Sequence, residues 1–88
     1  MANILIADDS PFIRTAYKRV LETQADFVVA SVCEDGLEAV NQCSEVQIDV
    51  AVLDIRMPRL DGISASKTIR EKNPEISIVI VSAFDDWS

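Results

Sequence analysis

The chain has 88 residues, 49% of them hydrophobic and 26% charged, with two glycines and three prolines. This composition excludes collagen-like, low-complexity and disordered classes and leaves a single small domain over 1–88. Fifteen Asp and Glu against eight Lys and Arg give a formal net charge of -7, so no diffuse positive field is available to hold nucleic acid or anionic lipid. The absence of His removes Ser-His-Asp, Cys-His and His-zinc chemistry, each of which needs an imidazole. Cys33 and Cys43 form no C-x-x-C pair and read as reduced core thiols. No basic leader precedes the first apolar run, and the longest apolar stretch, 76–84, is far short of a membrane span. The expected setting is the cytoplasm.

Ile4-Leu5-Ile6-Ala7 is a continuous apolar run, the pattern of a strand buried on both faces of a parallel sheet. Asp8-Asp9 follows, and then Ser10-Pro11 supplies an N-cap hydroxyl and a proline at the first helical position. Ile13, Ala16, Tyr17, Val20 and Leu21 then recur at helical spacing and give that helix one apolar face. Residues 27–32 read as a second strand. Asp35 with Glu38 opens a short helix in the manner of a capping box. A third strand over 48–53 ends at Asp54. Asp61-Gly62 reads as the turn and cap of a third helix, which stops at Asn73-Pro74 because a proline disfavours helical geometry in the residue before it. Residues 76–81 form the fourth strand.

Strands alternating with helices predict right-handed βαβ units, a parallel sheet and helices on both of its faces. Sheets of this kind carry their functional crevice at the carboxyl ends of the strands. Asp8, Asp9, Asp54 and Ser82 all fall at such ends. With strand order 2-1-3-4, strands 1 and 3 lie about 5 Å apart and the aspartates converge. Clustered carboxylates repel until a proton or cation neutralises them, and an all-oxygen set with room for water and phosphate oxygens favours Mg²⁺. An aspartate beside such an ion can act as a nucleophile toward phosphorus, with the Ser82 hydroxyl holding one phosphoryl oxygen.

The runs Ile4-Leu5-Ile6-Ala7-Asp8-Asp9, Asp54-Ile-Arg-Met-Pro-Arg-Leu-Asp-Gly62 and Val79-Ile-Val-Ser82-Ala83 resemble the receiver domain of bacterial two-component response regulators. That resemblance implies a flavodoxin-like fold, with Asp54 as phosphoacceptor. Asp9 and Asp54 would ligate Mg²⁺ directly, Asp8 through water, and the backbone carbonyl of Arg56 would complete the protein ligands. It also implies Ser82 as the hydroxyl switch residue, the Ala83 N–H as a phosphoryl contact, and a cognate histidine kinase as donor. Against the family pattern, the fifth strand, its following Lys and the last two helices are absent from the 88 residues. The expectation is therefore a truncated receiver, impaired in phosphorylation and not itself an enzyme. Phe84-Asp85-Asp86-Trp87 resembles a loop of regulators with a DNA-binding output domain, which implies transcription regulation in a longer parent.

Two other readings stand beside this one. A folded module that accepts no phosphate would act only by self-association, as a homodimer or swapped oligomer through the apolar edge of strand 4. An aspartyl-nucleophile phosphohydrolase would need a second Asp two residues after the nucleophile, where this chain has Arg56. Asp8-Asp9 as a helix-entry pair is the plainer alternative for those two residues. Phe12 and Tyr17 read as helix-face residues, and Arg56 and Arg59 as solvated loop charges.

Overall fold

The computed structural model describes residues 1–82. Its elements are β1 (Ala2–Ala7), α1 (Pro11–Glu22), β2 (Phe27–Cys33), α2 (Gly36–Glu45), β3 (Val50–Asp54), α3 (Gly62–Lys72) and β4 (Ser77–Val81). The four strands form one sheet in the order β2-β1-β3-β4, every pair parallel. This is the flavodoxin-like arrangement that the alternating pattern and the resemblance implied.

Each helix starts where its cap dictates. The Ser10 hydroxyl accepts from the Ile13 N–H at 3.3 Å, with Pro11 as the first helical residue. Asp35 accepts from the Glu38 N–H at 2.8 Å, and Asp61 from the Ser64 N–H at 2.8 Å. Such caps satisfy N–H groups that the helix itself leaves without partners. At the other end of α3, Asn73 has left helical geometry (φ -137°, ψ 71°) ahead of Pro74, as the steric demand of the proline requires.

The strand boundaries differ from the sequence expectation by one or two residues. β3 begins at Val50 because Asp49 pairs with β1 differently. Its N–H donates to the Asn3 carbonyl at 2.8 Å while its carboxylate accepts the Asn3 N–H at 2.7 Å. Ile48 is nevertheless buried in the core. β4 begins at Ser77 because the Ile76 N–H donates to the Asn73 carbonyl and closes a turn.

Alternation along the strands divides the apolar residues between two faces. Leu5, Ala7, Ala51 and Leu53 point toward α2 and α3, where Ala39, Val40, Cys43, Ala65 and Ile69 complete one continuous core. Leu5, Ile6, Leu53 and Ile69 are sealed from solvent, and burying a side chain of this size stabilises by about 1.5–3 kcal/mol. Cys33 and Cys43 are free, buried thiols, and burial pushes them up to about 12 and about 11. They are protonated core groups, as expected.

On the opposite face α1 packs over β1 and β2. The apolar face of this helix is less covered than its periodicity predicts: none of its residues is fully buried and Val20 is 65% exposed. Among the described residues, the valines of β3 and β4 on this side have no helix over them. They floor an apolar groove of about 450 Å³ that includes Val20, Val50, Val52, Val79 and Val81. No helix of the described residues is long and apolar enough to cross a membrane.

Candidate metal and phosphoacceptor site

The parallel register sets a row of polar residues along the carboxyl edge of the sheet. Ala7 pairs with Leu53, so the next residues, Asp8 and Asp54, emerge side by side. Asp54 in turn pairs with Val81, which puts Ser82 one step beyond on the next strand. Main-chain bonds hold these ends: the Asp8 N–H donates to the Cys33 carbonyl and the Ile55 N–H to the Val81 carbonyl, each at 3.1 Å. Asp9 joins from the turn between β1 and α1.

Asp8, Asp9 and Asp54 each contribute a carboxylate oxygen to a cluster in which these atoms lie within 4.8 Å of one another. Asp8 and Asp54 are buried and Asp9 is exposed. The cluster lines a cavity of about 160 Å³ together with Ser10, Tyr17 and Ser82, which brings the expected site residues Asp8, Asp9, Asp54 and Ser82 into one pocket. Phe12 lies on the outer surface of α1, 79% exposed, whereas Tyr17 reaches the cavity wall. Ala83 and the segment 84–87 lie outside the described residues.

Burial and crowding set the electrostatics. Burial, then the neighbouring Asp8 and Asp9 carboxylates, push Asp54 up from 3.8 to about 6, with the nearby main chain of Ile55 and Arg56 opposing the rise. Burial also raises Asp8, against the Ser10 N–H that donates to its carboxylate at 2.9 Å. Arg14 opposes the rise as well, and its Nη1 donates to the Asp8 main-chain carbonyl at 2.8 Å. Among the described residues, Arg14 and the Ser10 N–H thus offset part of the charge of the cluster. A hard divalent cation fits this donor set, since it bonds to carboxylate oxygen and offsets the repulsion that adds to the effect of burial on Asp54.

Three features of the surroundings were not read from the sequence. Arg59, expected as a solvated charge, pairs through Nε with the Asp35 carboxylate at 3.2 Å. Its backbone is left-handed at φ 68°, a conformation that Arg does not advertise in a sequence. Arg14 had a signal that could have found it, since the first turn of a helix after a strand faces the end of that strand. The two glycines also mark close approaches: a Cβ at Gly62 would collide with the Asp54 carbonyl, and one at Gly36 with the Leu60 carbonyl.

A parallel α/β sheet in this strand order, with an acidic pocket at its carboxyl edge, puts the chain in the flavodoxin-like class. The chain belongs to the response regulator receiver domain family, whose pattern matches residues 4–88. It is 41% identical over 83 residues to the chemotaxis protein CheY of Listeria monocytogenes, covering 94% of this chain and 69% of that one. It is 46% identical over 79 residues to a protein-glutamate methylesterase/protein-glutamine glutaminase of Rhodopseudomonas palustris, covering 90% of this chain and 20% of the relative. The chain thus spans only a fifth of that enzyme. Among solved structures, it superposes on a chain of the CheX–CheY–BeF₃–Mg²⁺ complex of Borrelia burgdorferi with a TM-score of 0.87 and 32% identity, covering 94% of this chain and 63% of that chain.

Proposed function

We propose that this chain accepts a phosphoryl group from a histidine kinase onto Asp54, with Mg²⁺ held by the acidic pocket. The observation that carries the proposal is the convergence of three carboxylates from two strand ends and one turn. Their fit to an oxygen-seeking cation, and the likeness to a chain of the CheX–CheY–BeF₃–Mg²⁺ complex, support it. Asp9 and Asp54 would hold the ion directly, Asp8 through water, and the Arg56 carbonyl would complete the protein donors. Bound there, the ion would balance charge developing on the phosphoryl oxygens. The chain's own contributions are separate. Asp54 supplies the attacking oxygen. Ser82, on the pocket wall, offers a hydroxyl to one phosphoryl oxygen, and the Ala83 N–H would donate to another.

In a longer parent, the phosphorylated domain would control an attached output domain. The likeness of residues 84–87 to a loop of DNA-binding regulators favours transcription regulation as that output, in the cytoplasm and without direct nucleic-acid contact by this segment. No catalytic turnover is assigned to the receiver itself.

The test is incubation with acetyl phosphate and Mg²⁺, read by intact mass. One phosphoryl group, incorporated in reduced yield, is expected on the wild-type chain and none on Asp54→Asn. Incorporation by the Asn variant would reject the assignment of Asp54. A wild-type chain that stays unmodified would favour the second reading, a non-accepting module that self-associates. The specific observation behind that reading is the outer edge of β4, which pairs with no further strand among the described residues.

A further inference from the structure

The loop between β3 and α3 leaves the sheet at Asp54, and it is fastened from the far side by groups outside the acidic pocket. Asp35 caps α2 through one carboxylate oxygen, which accepts the Glu38 N–H at 2.8 Å. Its other oxygen meets Arg59 Nε at 3.2 Å. Asp35 is buried, whereas the Arg59 side chain is 59% exposed. Beside this ion pair the backbone of α2 at Gly36 lies so close to the Leu60 carbonyl that no Cβ fits between them. The Leu60 N–H donates to the Pro58 carbonyl at 2.7 Å, and the Gly62 N–H returns to the Ile55 carbonyl at 2.8 Å, which closes the loop on itself. Arg59 sits at the crest of this loop with its left-handed backbone, a conformation that costs a non-glycine residue energy and persists when surrounding contacts impose it.

We propose that Asp35 and Arg59 are a positioning pair, a latch between the start of α2 and the crest of the β3–α3 loop that holds the loop main chain in place beside Asp54. Neither residue touches the acidic cluster. The pair acts through the short loop, whose two ends are Asp54 and the Asp61 cap of α3. Opening the latch frees the crest to relax from φ 68°, and the closure at the base of the loop, where the Gly62 N–H meets the Ile55 carbonyl, loosens. The consequence for metal binding rests on the reading of Asp54 as a ligand, whereas the effect on the loop does not.

Two substitutions separate the latch from the elements it joins. Asp35→Asn keeps an oxygen to cap α2 and removes the negative charge. Arg59→Gly removes the guanidinium and favours the left-handed backbone. Hydrogen exchange of the Arg56 and Leu60 amides in metal-free protein is expected to accelerate about two- to fivefold in each variant, the range expected for a half-exposed ion pair. The dissociation constant for Mg²⁺ alone, measured by calorimetry, is expected to rise by a similar factor. The double variant should match the singles, since both remove the same interaction, and raised salt should move the wild type toward the variants. Unchanged exchange in either variant, or effects that simply add, would overturn the latch. A wild-type chain that binds no Mg²⁺ would instead overturn the reading of the acidic cluster, and the exchange data would still decide the latch.

Discussion

Asp54 stands beside Asp8 because the residues preceding them, Leu53 and Ala7, are paired across β3 and β1. Two buried carboxyl groups therefore share one corner of the sheet, with Asp9 at its rim, and Asp54 is raised to about 6. A carboxyl group more basic in the folded chain than in the unfolded chain favours folding when protonated. That contribution is fully present below about pH 4 and disappears as pH climbs through about 6. Metal-free protein should lose stability over this window, by up to ~3 kcal/mol at 1.36 kcal/mol per pH unit. Asp54→Asn should melt higher than wild type at pH 7 and show little advantage at pH 4. Equal melting temperatures at pH 7 would show that the crowding costs the fold nothing.

Asp9 separates metal binding from folding. It is exposed, so Asp9→Asn should leave metal-free stability within about 0.5 kcal/mol of wild type. The same change should weaken Mg²⁺ by about tenfold or more, equivalent to ~1.4 kcal/mol. Mg²⁺ should also raise the wild-type melting temperature at pH 7, because a ligand held only by the folded state stabilises it by mass action. Calorimetric titration with thermal melts of both proteins checks this, and an unaltered affinity in the variant would remove Asp9 from the donor set.

The close approaches at Gly36 and Gly62 leave no space for a methyl group against backbone carbonyls. Gly62→Ala and Gly36→Ala should each cost about 1–3 kcal/mol, the range for overpacking a rigid contact, read as a lower urea midpoint. Gly62→Ala should in addition disturb metal binding, since the carbonyl it strikes belongs to Asp54. A cost below about 0.5 kcal/mol would mean that the loop gives way easily.

The outer edge of β4, which has no partner strand among the described residues, and the adjoining valine groove predict self-association. Val79 is 48% exposed there and lines the groove. Sedimentation velocity at high concentration should show dimer for the wild type and monomer for Val79→Lys. A wild-type chain that remains monomeric would exclude this surface as a contact between copies.

Much of the fold was legible because local chemistry and global arrangement agree in this chain. Ser10-Pro11, Asp35 and Asp61-Gly62 each start a helix where their capping groups place it, and the apolar runs ending at Ala7 and near Asp54 are the buried central strands. The acidic pocket was legible for the same reason, since a parallel sheet has only one carboxyl edge on which its strand-end aspartates can meet. Two kinds of feature were hidden. The start of β3 depends on a side-chain bond from Asp49 to the Asn3 amide, which has no periodic signature. The Asp35–Arg59 contact joins groups 24 positions apart through a backbone conformation that sequence associates with glycine or asparagine.

The bond from Arg14 to the Asp8 carbonyl bears on how the pocket keeps its appetite for cations. A guanidinium seated on a carboxylate would occupy the oxygens an incoming ion requires and would have to be displaced before each loading. Gripping the peptide oxygen instead moors the first turn of the helix to the strand tip and takes neither Asp8 carboxylate oxygen, of which Oδ1 accepts the Ser10 N–H. The helix is thus anchored by a positive group that does not compete for the same berth.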